Sequence, residues 1–376
     1  MGCAECKFCK QEEEKNQFDY PPDSKNSNKN ALENSLHKSG NNNDFIKEFE
    51  EKIKYIGNFI TEEEFEAVIP EEANKYFKNE NFLAKLKNVG SYKIKPVEFE
   101  NGNIYYGQWN QEFEMEGYGK YYLREEKVLA EGIWKKGELK NARIFFPNGD
   151  FYEGEMGNSV YNGKGKLITQ NQDEYIGQFV DGEKNGGGKL RFEDGTEYEG
   201  NFVKNKFSGK GHMKWADGIE YIGNFSDNYL EGEGILIKNN GEKYEGTFEK
   251  NFFHGEGKYT YSNGDEYEGN FEYGIRKGKG VYRKKNGFIF EGFWDNNIPN
   301  GHGKININGN LLKCNFHNGI LIDEQINERE NYDNEIGNNF YAELMSLSSQ
   351  KLNHLENTNN STSQYRAGTM LSFLED

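Results

Sequence analysis

The sequence predicts a mainly β protein, an elongated single-layer antiparallel sheet of serial 23-residue β-hairpins with short flanking helices. Tyrosine, glycine and turn signals return every 23 residues, and a fixed period of roughly 20–50 residues indicates repeat architecture. The 376 residues include 45 Gly, 28 Phe and 24 Tyr. Only 34% of residues are hydrophobic, which is too little for a thick core and favours a thin one.

Residues 1–43 precede the repeats and are polar, rich in asparagine, lysine and glutamate. This composition offers little apolar surface to bury, so we expect a disordered N-terminal arm. Residues 44–92 predict a small helical region, whose first helix follows Asp44, a suitable N-cap. The apolar side chains at helical spacing are Phe45, Phe49, Ile53 and Ile56.

The region is expected to form two or three helical pieces in all. Thr61 and Glu64 occupy the two positions of a capping box. Pro70 opens the run "PEEANKYFKNENFLAKL", because proline is tolerated in the first turn of a helix. We interpret the region as a packing cap on the sheet that follows, rather than as a separate binding module.

The repeat region is assigned to residues 93–322, with an unbroken spacing of 23 from Tyr152 to Phe290. The copy near Ala130 lacks the paired glycines, and the last copy is a half repeat, "LKCNFHNG". The predicted motif starts are Tyr106, Ala130, Tyr152, Tyr175, Tyr198, Tyr221, Tyr244, Tyr267, Phe290 and Leu312.

Each copy is predicted to form a β-hairpin. An aromatic residue, then glycine, then another aromatic residue at period two marks one face of a strand. Paired glycines such as Gly209 and Gly211, a second strand and a turn such as "ADG" or "SNG" follow. The repeat-structural residues are Tyr152, Gly154, Tyr175, Gly177, Tyr198, Gly200, Tyr221, Gly223, Tyr244, Gly246, Tyr267, Gly269, Phe290 and Gly292.

The glycines are explained by the rings beside them. A glycine leaves a gap in a strand, and a neighbouring ring can lie across that gap and shield the backbone. One hairpin buries its aromatic face only in part, so several copies must stack. The other face carries a column of glutamates and is expected to be solvated: Glu153, Glu199, Glu245, Glu268 and Glu291.

Residues 323–376 leave the repeat. The stretch "NNFYAELMSLSSQKLNHLE" predicts a C-terminal helix, and we expect a flexible tail after it. The apolar positions of this helix are Phe340, Leu344, Leu347 and Leu355.

The stretches "YEGNFVKNKFSGKG" and "YEGTFEKNFFHGEGKYTYSNGDE" resemble the MORN repeat (membrane occupation and recognition nexus), of the stand-alone protist type. The family pattern is Tyr-x-Gly-x-Trp/Phe followed by Gly-x-Gly, and the resemblance covers residues 95–322. The departures are the weak second copy, Met156 in an aromatic column, and Gln172 where a turn glycine is expected.

This resemblance implies an extended single-layer sheet, often capped by a helix. It also implies a scaffold at a membrane, cell cortex, basal body or cilium. Some relatives carry a lipid-kinase or methyltransferase domain, and no such domain is expected in the flanks of this chain.

The first nine residues, "MGCAECKFC", are the other informative stretch. Gly2 predicts N-myristoylation after removal of Met1, and Cys3 predicts palmitoylation, with Cys6 and Cys9 as further sites. One myristoyl chain gives only marginal binding, so stable anchoring needs a second signal. The sequence "KQEEEK" that follows provides no basic patch, which leaves thiol acylation.

Other interpretations of these cysteines remain open. The C-x-x-C-x-x-C spacing of Cys3, Cys6 and Cys9 suggests a metal or iron–sulfur ligand set, but a fourth nearby ligand is missing. An inert terminus is the remaining alternative. Cys314 takes a glycine position of the last half repeat, and we expect it to pack rather than react.

No catalytic, metal or cofactor site is predicted. The net charge of −17 disfavours nucleic acid, which needs a basic surface. The six histidines do not pair at metal-ligand spacing, and His302 lies in a freely varying column that indicates an exposed surface. Stretches such as "GKGK" look like phosphate loops, yet they recur inside the hairpins without a following helix.

We therefore expect a non-enzymatic scaffold or adaptor. Acyl chains would hold it on the cytoplasmic face of the plasma membrane or at the cell cortex, and its acidic face would select basic protein partners. The first alternative is a soluble structural component of a cilium, basal body or cortical cytoskeleton. The second is a phosphoinositide-binding module, for which lysines such as Lys164, Lys189 and Lys210 are candidates. Exposed sheet edges also predict a homodimer unless the flanking helices cover them.

Overall fold

A computed structural model describes residues 42–53, 57–77, 92–93, 95–307 and 309–326. The chain divides into two compact units, Met1–Glu193 and Asp194–Asp376. Both units are built from antiparallel strands that pair with their neighbours in sequence. The predicted fold class, a mainly β chain of serial antiparallel hairpins, is confirmed.

The helical segments lie in the first unit. Helix α1 begins two residues before the predicted cap Asp44, and the predicted position Ile56 lies outside the described residues. The capping box before α2 is present: Thr61 Oγ1 accepts the Glu64 N–H at 3.1 Å, and Glu64 Oε2 accepts the Thr61 N–H at 2.7 Å. After Pro70 the chain forms a 3₁₀ turn before α3. The segments are α1 Asn42–Ile53, α2 Glu62–Val68, the 3₁₀ turn Glu71–Ala73 and α3 Asn74–Phe77.

The strands of the first unit begin with three short pieces around the first hairpin. From β4 to β11 each strand pairs with the next. They are β1 Gly57–Phe59, β2 Tyr92–Lys93, β3 Val97–Phe99, β4 Ile104–Trp109, β5 Met115–Leu123, β6 Val128–Lys135, β7 Glu138–Phe145, β8 Phe151–Gly157, β9 Val160–Ile168, β10 Glu174–Val180 and β11 Glu183–Arg191.

The strands of the second unit pair in one series from β12 to β23. The last strand continues to Ile326, so the half repeat is a full hairpin that passes the predicted boundary at residue 322. They are β12 Glu197–Val203, β13 Lys206–Lys214, β14 Glu220–Ser226, β15 Tyr229–Ile237, β16 Lys243–Glu249, β17 Phe252–Thr260, β18 Glu266–Glu272, β19 Ile275–Arg283, β20 Phe288–Asp295, β21 Ile298–Ile307, β22 Asn310–His317 and β23 Ile320–Ile326.

Two kinds of turn join these strands. The turn that closes a copy has its glycine at positive φ, as predicted, for example 88° at Gly218 and 87° at Gly264. The turn inside a copy was not predicted, and it holds two consecutive residues at positive φ, such as Lys204 at 48° and Asn205 at 67°. This is the geometry of a type I′ hairpin, whose twist matches that of the strands.

The asparagine of that inner turn also joins one hairpin to the preceding one. Asn228 Oδ1 accepts the backbone N–H of Phe207 at 2.7 Å, and Asn297 Oδ1 accepts that of Arg276 at 2.8 Å. Because each bond reaches back about one repeat, consecutive hairpins are tied by side chains as well as by the β ladder.

Candidate functional site

The ring of each motif tyrosine lies across a pair of glycines. The Tyr198 side chain is buried, and its hydroxyl donates a hydrogen bond to the carbonyl oxygen of Asn201 at 2.9 Å. A Cβ atom at Gly200 would lie 2.4 Å from the tyrosine hydroxyl oxygen, and one at Gly211 would lie 2.6 Å from Cε2 of the ring. Only glycine therefore fits beneath this ring. We call the side of the sheet that carries these rings the ring face.

The glycine pairs of neighbouring strands stand in register and form one line across each unit. In the second unit the line is Gly200, Gly211, Gly223, Gly234, Gly246, Gly257, Gly269, Gly280, Gly292, Gly303 and Cys314. In the first unit it is Gly107, Gly119, Gly132, Ala142, Gly154, Gly165, Gly177 and Gly188. Cys314 is buried at the end of its line, as expected for a packing residue.

The first copy starts one residue earlier than predicted. Tyr105, not Tyr106, lies across Gly107 and Gly119, and its hydroxyl donates to the Gln108 carbonyl oxygen at 2.9 Å. Two adjacent tyrosines both suit a strand, and the alternation of side chains decides between them. Tyr106 therefore points to the opposite side of the sheet.

In some copies a third ring joins the cluster, and it was not predicted from the sequence. It stands nine residues after the motif tyrosine and stacks on its ring. Tyr161 stacks on Tyr152 with ring centroids 3.8 Å apart, and Phe253 stacks on Tyr244 at 3.8 Å. The signal in this column is weak because Lys184, Leu230, Arg276 and Pro299 occupy it in other copies.

Arg276 replaces the stacking ring in one copy and is fully buried. Its guanidinium lies 4.5 Å from the centroid of Trp294 and donates hydrogen bonds to Tyr261 Oη at 3.1 Å and the Asn297 carbonyl oxygen at 2.7 Å. A planar guanidinium can stack on an aromatic face as a ring does. The same packing position therefore accepts either a ring or an arginine.

Burial raises the pKa of the motif tyrosines, since it penalises the phenolate. For Tyr175 and Tyr198 the pKa rises to about 12 from an ordinary 10.0. The tyrosine column is thus a set of neutral, buried phenols that supports the fold rather than acid–base chemistry near neutral pH.

We predict that the fold is lost in alkali before these tyrosines ionise individually. The unfolded chain ionises its tyrosines near pH 10 while the folded chain keeps Tyr175 and Tyr198 neutral to about pH 12. The free energy of unfolding is therefore unaffected by these groups below pH 10 and falls as the pH rises from 10 to 12. Far-UV circular dichroism and phenolate absorbance, recorded together, should change in one transition. Phenolate formation with an unchanged dichroism spectrum would contradict this.

The opposite side of the sheet, which we call the open face, carries the residues between the rings and the glycines. The predicted glutamate column Glu153, Glu199, Glu245, Glu268 and Glu291 lies there and is exposed. Two of these glutamates have cationic neighbours: Glu245 Oε2 lies 2.7 Å from Lys243 Nζ, and Glu268 Oε2 lies 2.9 Å from Arg283 Nη1. Such exposed pairs contribute little to stability.

In the first unit, part of the open face is covered by the helical segment. Phe65 of α2 and Ala73 of the 3₁₀ turn are fully buried against side chains of β4 to β7. Polar contacts surround this apolar centre: the Tyr106 hydroxyl donates to Glu62, and Lys120 Nζ lies 3.6 Å from Glu66 Oε1. The sheet side of the cluster is Ile104, Tyr106, Tyr118, Tyr122, Leu129 and Phe145.

In the second unit, the open face forms a groove of about 990 Å³ across β17 to β22. Its floor is the glycine line from Gly257 to Gly303 with Cys314 at its end, and Phe293 stands in its wall with 45% of its surface exposed. Lysines line the walls, and we call this site the lysine-lined groove. His302, predicted to be exposed, is one of its exposed side chains.

The other predicted sites give a mixed outcome. Gly2, Cys3, Cys6 and Cys9 lie outside the described residues, as do the C-terminal positions Phe340, Leu344, Leu347 and Leu355. Lys164 and Lys189 belong to the first unit and Lys210 to the second, and none of them lines the groove. Within the described ranges no helix is long and apolar enough to cross a membrane. The same ranges hold no cluster of His, Cys, Asp and Glu suited to a metal ion.

The MORN repeat model matches seven consecutive segments of the chain. No curated protein matches this chain. The matched segments are 152–174, 175–197, 198–220, 221–243, 244–266, 267–288 and 290–306.

Two of the solved structures that this chain is similar to are distant likenesses. One is the TCP10 domain of Danio rerio CPAP in complex with a STIL peptide, 14% identical over 52% of this chain and 80% of that chain, with a TM-score of 0.27. Another is the TCP domain of Drosophila melanogaster SAS-4 in complex with a proline-rich motif of Ana2, 12% identical over 59% of this chain and 92% of that chain, with a TM-score of 0.24. Both TM-scores are too low for a shared fold to follow.

Proposed function

We propose, from the premise that this chain carries seven consecutive MORN repeats, that it is a non-enzymatic scaffold that binds proteins through the open face of its sheet. One observation carries the proposal: in the first unit this face already holds a protein segment, α2 and the 3₁₀ turn. The ring face is filled by the chain's own aromatic rings, and in the first unit Phe49 of α1 packs on it against Trp109. The open face is therefore the side on which a partner can add contacts without displacing the core.

The chain's charge shapes this interaction. A net charge of −17 favours encounter with basic proteins, because complementary potentials steer encounter and suppress wrong partners. Exposed glutamates such as Glu153 and Glu199 supply acidic contacts on the open face. Basic protein surfaces are thus one class of partner for this scaffold.

The second part of the proposal is a membrane tether. Myristoylation of Gly2 and palmitoylation of Cys3 would hold the chain on the cytoplasmic face of the plasma membrane or at the cell cortex. Two acyl chains are needed because one gives only marginal, reversible binding. Cys6 and Cys9 add further thiols within the same nine residues, so that loss of one thiol acyl chain can be compensated.

Fractionation of a fusion protein with its native N-terminus tests the tether. The wild type should sediment with membranes, whereas Gly2→Ala should move nearly all of the protein to the soluble fraction. Cys3→Ser should release at least part of it, to the extent that Cys6 and Cys9 do not compensate. Ala4→Gly is the matched control and should behave as the wild type, because it leaves both acylation residues in place.

Equal distributions of the wild type and Gly2→Ala would contradict the tether. A protein that then resists detergent extraction would be a structural component of a cilium, basal body or cortical cytoskeleton, held by protein contacts alone. The scaffold proposal itself would survive that result, since it rests on the open face and not on the terminus.

A further inference from the structure

The lysine-lined groove has a charge opposite to that of the chain. Its lining includes five cationic side chains, among them Lys258 and Arg283, and three carboxylates, although the whole chain carries −17. Three of the lysines are exposed and take part in no ion pair among the described residues: Lys279, Lys304 and Lys313. Their charge is therefore available to an anionic partner.

The groove also offers an apolar contact and a flat floor. Lys279 Nζ lies 5.9 Å from the ring centroid of Phe293, whose ring is half exposed. Below them the glycines leave bare backbone, so a partner can approach closely. A volume of about 990 Å³ corresponds to about two turns of an α-helix with its side chains.

The first unit shows what kind of segment the open face accepts. Helix α2 has seven residues, "EEEFEAV", which make two turns. It has one fully buried ring, Phe65, and it places Glu66 beside Lys120 of the sheet. An acidic helix with a single aromatic anchor is thus compatible with this face.

We propose that the lysine-lined groove binds an acidic helical segment of a partner protein, with an apolar anchor side chain against Phe293 and carboxylates near Lys279, Lys304 and Lys313. This rests on the proposed function of the open face and names the partner class for one part of it. Helix-in-groove recognition uses an apolar anchor flanked by complementary charge.

An anionic membrane fits the groove less well than a peptide does. Glu256, Glu268 and Glu291 lie among the cations, and they would repel a uniformly anionic surface. A helix can place carboxylates beside the lysines and polar or basic side chains beside the glutamates.

A binding measurement tests this on the full chain expressed without acylation. The probe is a fluorescent peptide with the sequence of residues 61–77, which contains α2, and the control peptide has every glutamate replaced by glutamine. The acidic peptide should bind, more weakly as salt is raised. The glutamine peptide should bind about ten-fold more weakly.

Variants of the protein locate the site. Lys304→Glu combined with Lys313→Glu should raise the Kd of the acidic peptide about ten-fold or more. Lys210→Glu is the matched control, since Lys210 is exposed in the same unit but does not line the groove. It should leave the Kd within about two-fold. An equal increase in the Kd of the acidic peptide for both variants, or no increase for the double variant, would overturn the proposal.

Two further results would also overturn it. If the full chain fails to bind the peptide but a chain ending at Ile326 binds it, the occupant is the protein's own C-terminal segment. If phosphatidylserine vesicles bind in a Lys304- and Lys313-dependent way and the peptide does not, the groove serves a membrane. Neither result changes the fractionation of Gly2→Ala, so failure of this inference and failure of the tether are distinguishable.

Discussion

Replacing Tyr244 with alanine is expected to lower the free energy of unfolding by about 3–5 kcal/mol, the cost of deleting a buried aromatic side chain. The ring is fully buried, stacks on Phe253 at 3.8 Å, and meets Phe248 and Phe271 edge-on at 5.1 and 5.2 Å. Its hydroxyl donates to the Thr247 carbonyl oxygen at 2.8 Å. Removing the Tyr244 side chain leaves a cavity above a glycine pair, and the glycines have no side chains that could fill this cavity.

Urea unfolding followed by circular dichroism measures this loss. Tyr273→Ala is the matched control, because Tyr273 belongs to the same unit but is 49% exposed. Its free energy of unfolding should change by no more than about 0.5 kcal/mol. Equal losses for Tyr244→Ala and Tyr273→Ala would show that the tyrosine column does not hold the repeats together.

Gly188→Ala is expected to lower the free energy of unfolding by about 1–3 kcal/mol, the range for overpacking a filled site. An added Cβ atom would lie 2.5 Å from Cε2 and 2.6 Å from the hydroxyl oxygen of Tyr175. The φ of Gly188 is not in the left-handed region, so alanine can adopt this backbone conformation without strain. The loss of stability therefore arises from the clash between the added Cβ atom and the Tyr175 ring.

The adjacent glycine of the same strand supplies the control. A Cβ atom at Gly187 meets nothing within 4 Å, and Gly187 does not have a positive φ. Gly187→Ala should leave the free energy of unfolding unchanged or raise it by up to about 1 kcal/mol, because alanine restricts the unfolded chain. Thermal unfolding of the two variants side by side would reveal the difference, and similar melting temperatures would contradict it.

The hairpins were predictable because their determinants are local and repeated. A tyrosine at 198 and glycines at 200 and 211 recur in copy after copy. These residues are compatible with only one strand register and one assignment of side chains to the two faces, because a slip of one residue would turn every ring to the other face. The first copy follows the same rule, since Gly107 and Trp109 stand two and four residues after Tyr105 and not after Tyr106, so the predicted start at Tyr106 was wrong by one residue.

The open face was less predictable because its residues meet only through the pairing register of several neighbouring strands. Lys279, Lys304 and Lys313 come from three strands, and the sequence as a whole is acidic. The composition of the whole chain therefore does not indicate a local cationic groove. The contact of Phe65 with Tyr106 joins segments about forty residues apart, and no periodicity encodes it.

Arg276 was overlooked for a different reason. Its position is aromatic in only some copies and holds Lys184, Leu230 and Pro299 in others, so the column gave no pattern from which a packing role could be predicted. The side chain nevertheless fits because its guanidinium stacks on Trp294 and its N–H groups find acceptors at Tyr261 and Asn297. A pattern of residue types does not reveal such a substitution.

The most direct test of the account is to measure the cost of Gly188→Ala in two backgrounds, the wild type and Tyr175→Leu. If each glycine is required by the ring above it, alanine should cost about 1–3 kcal/mol beneath Tyr175. It should cost less than about 0.5 kcal/mol beneath leucine, which is too short to lie across both glycines. Urea unfolding of the four proteins gives both costs. An equal cost in both backgrounds would contradict the claim that tyrosine rings and glycine pairs together build this sheet.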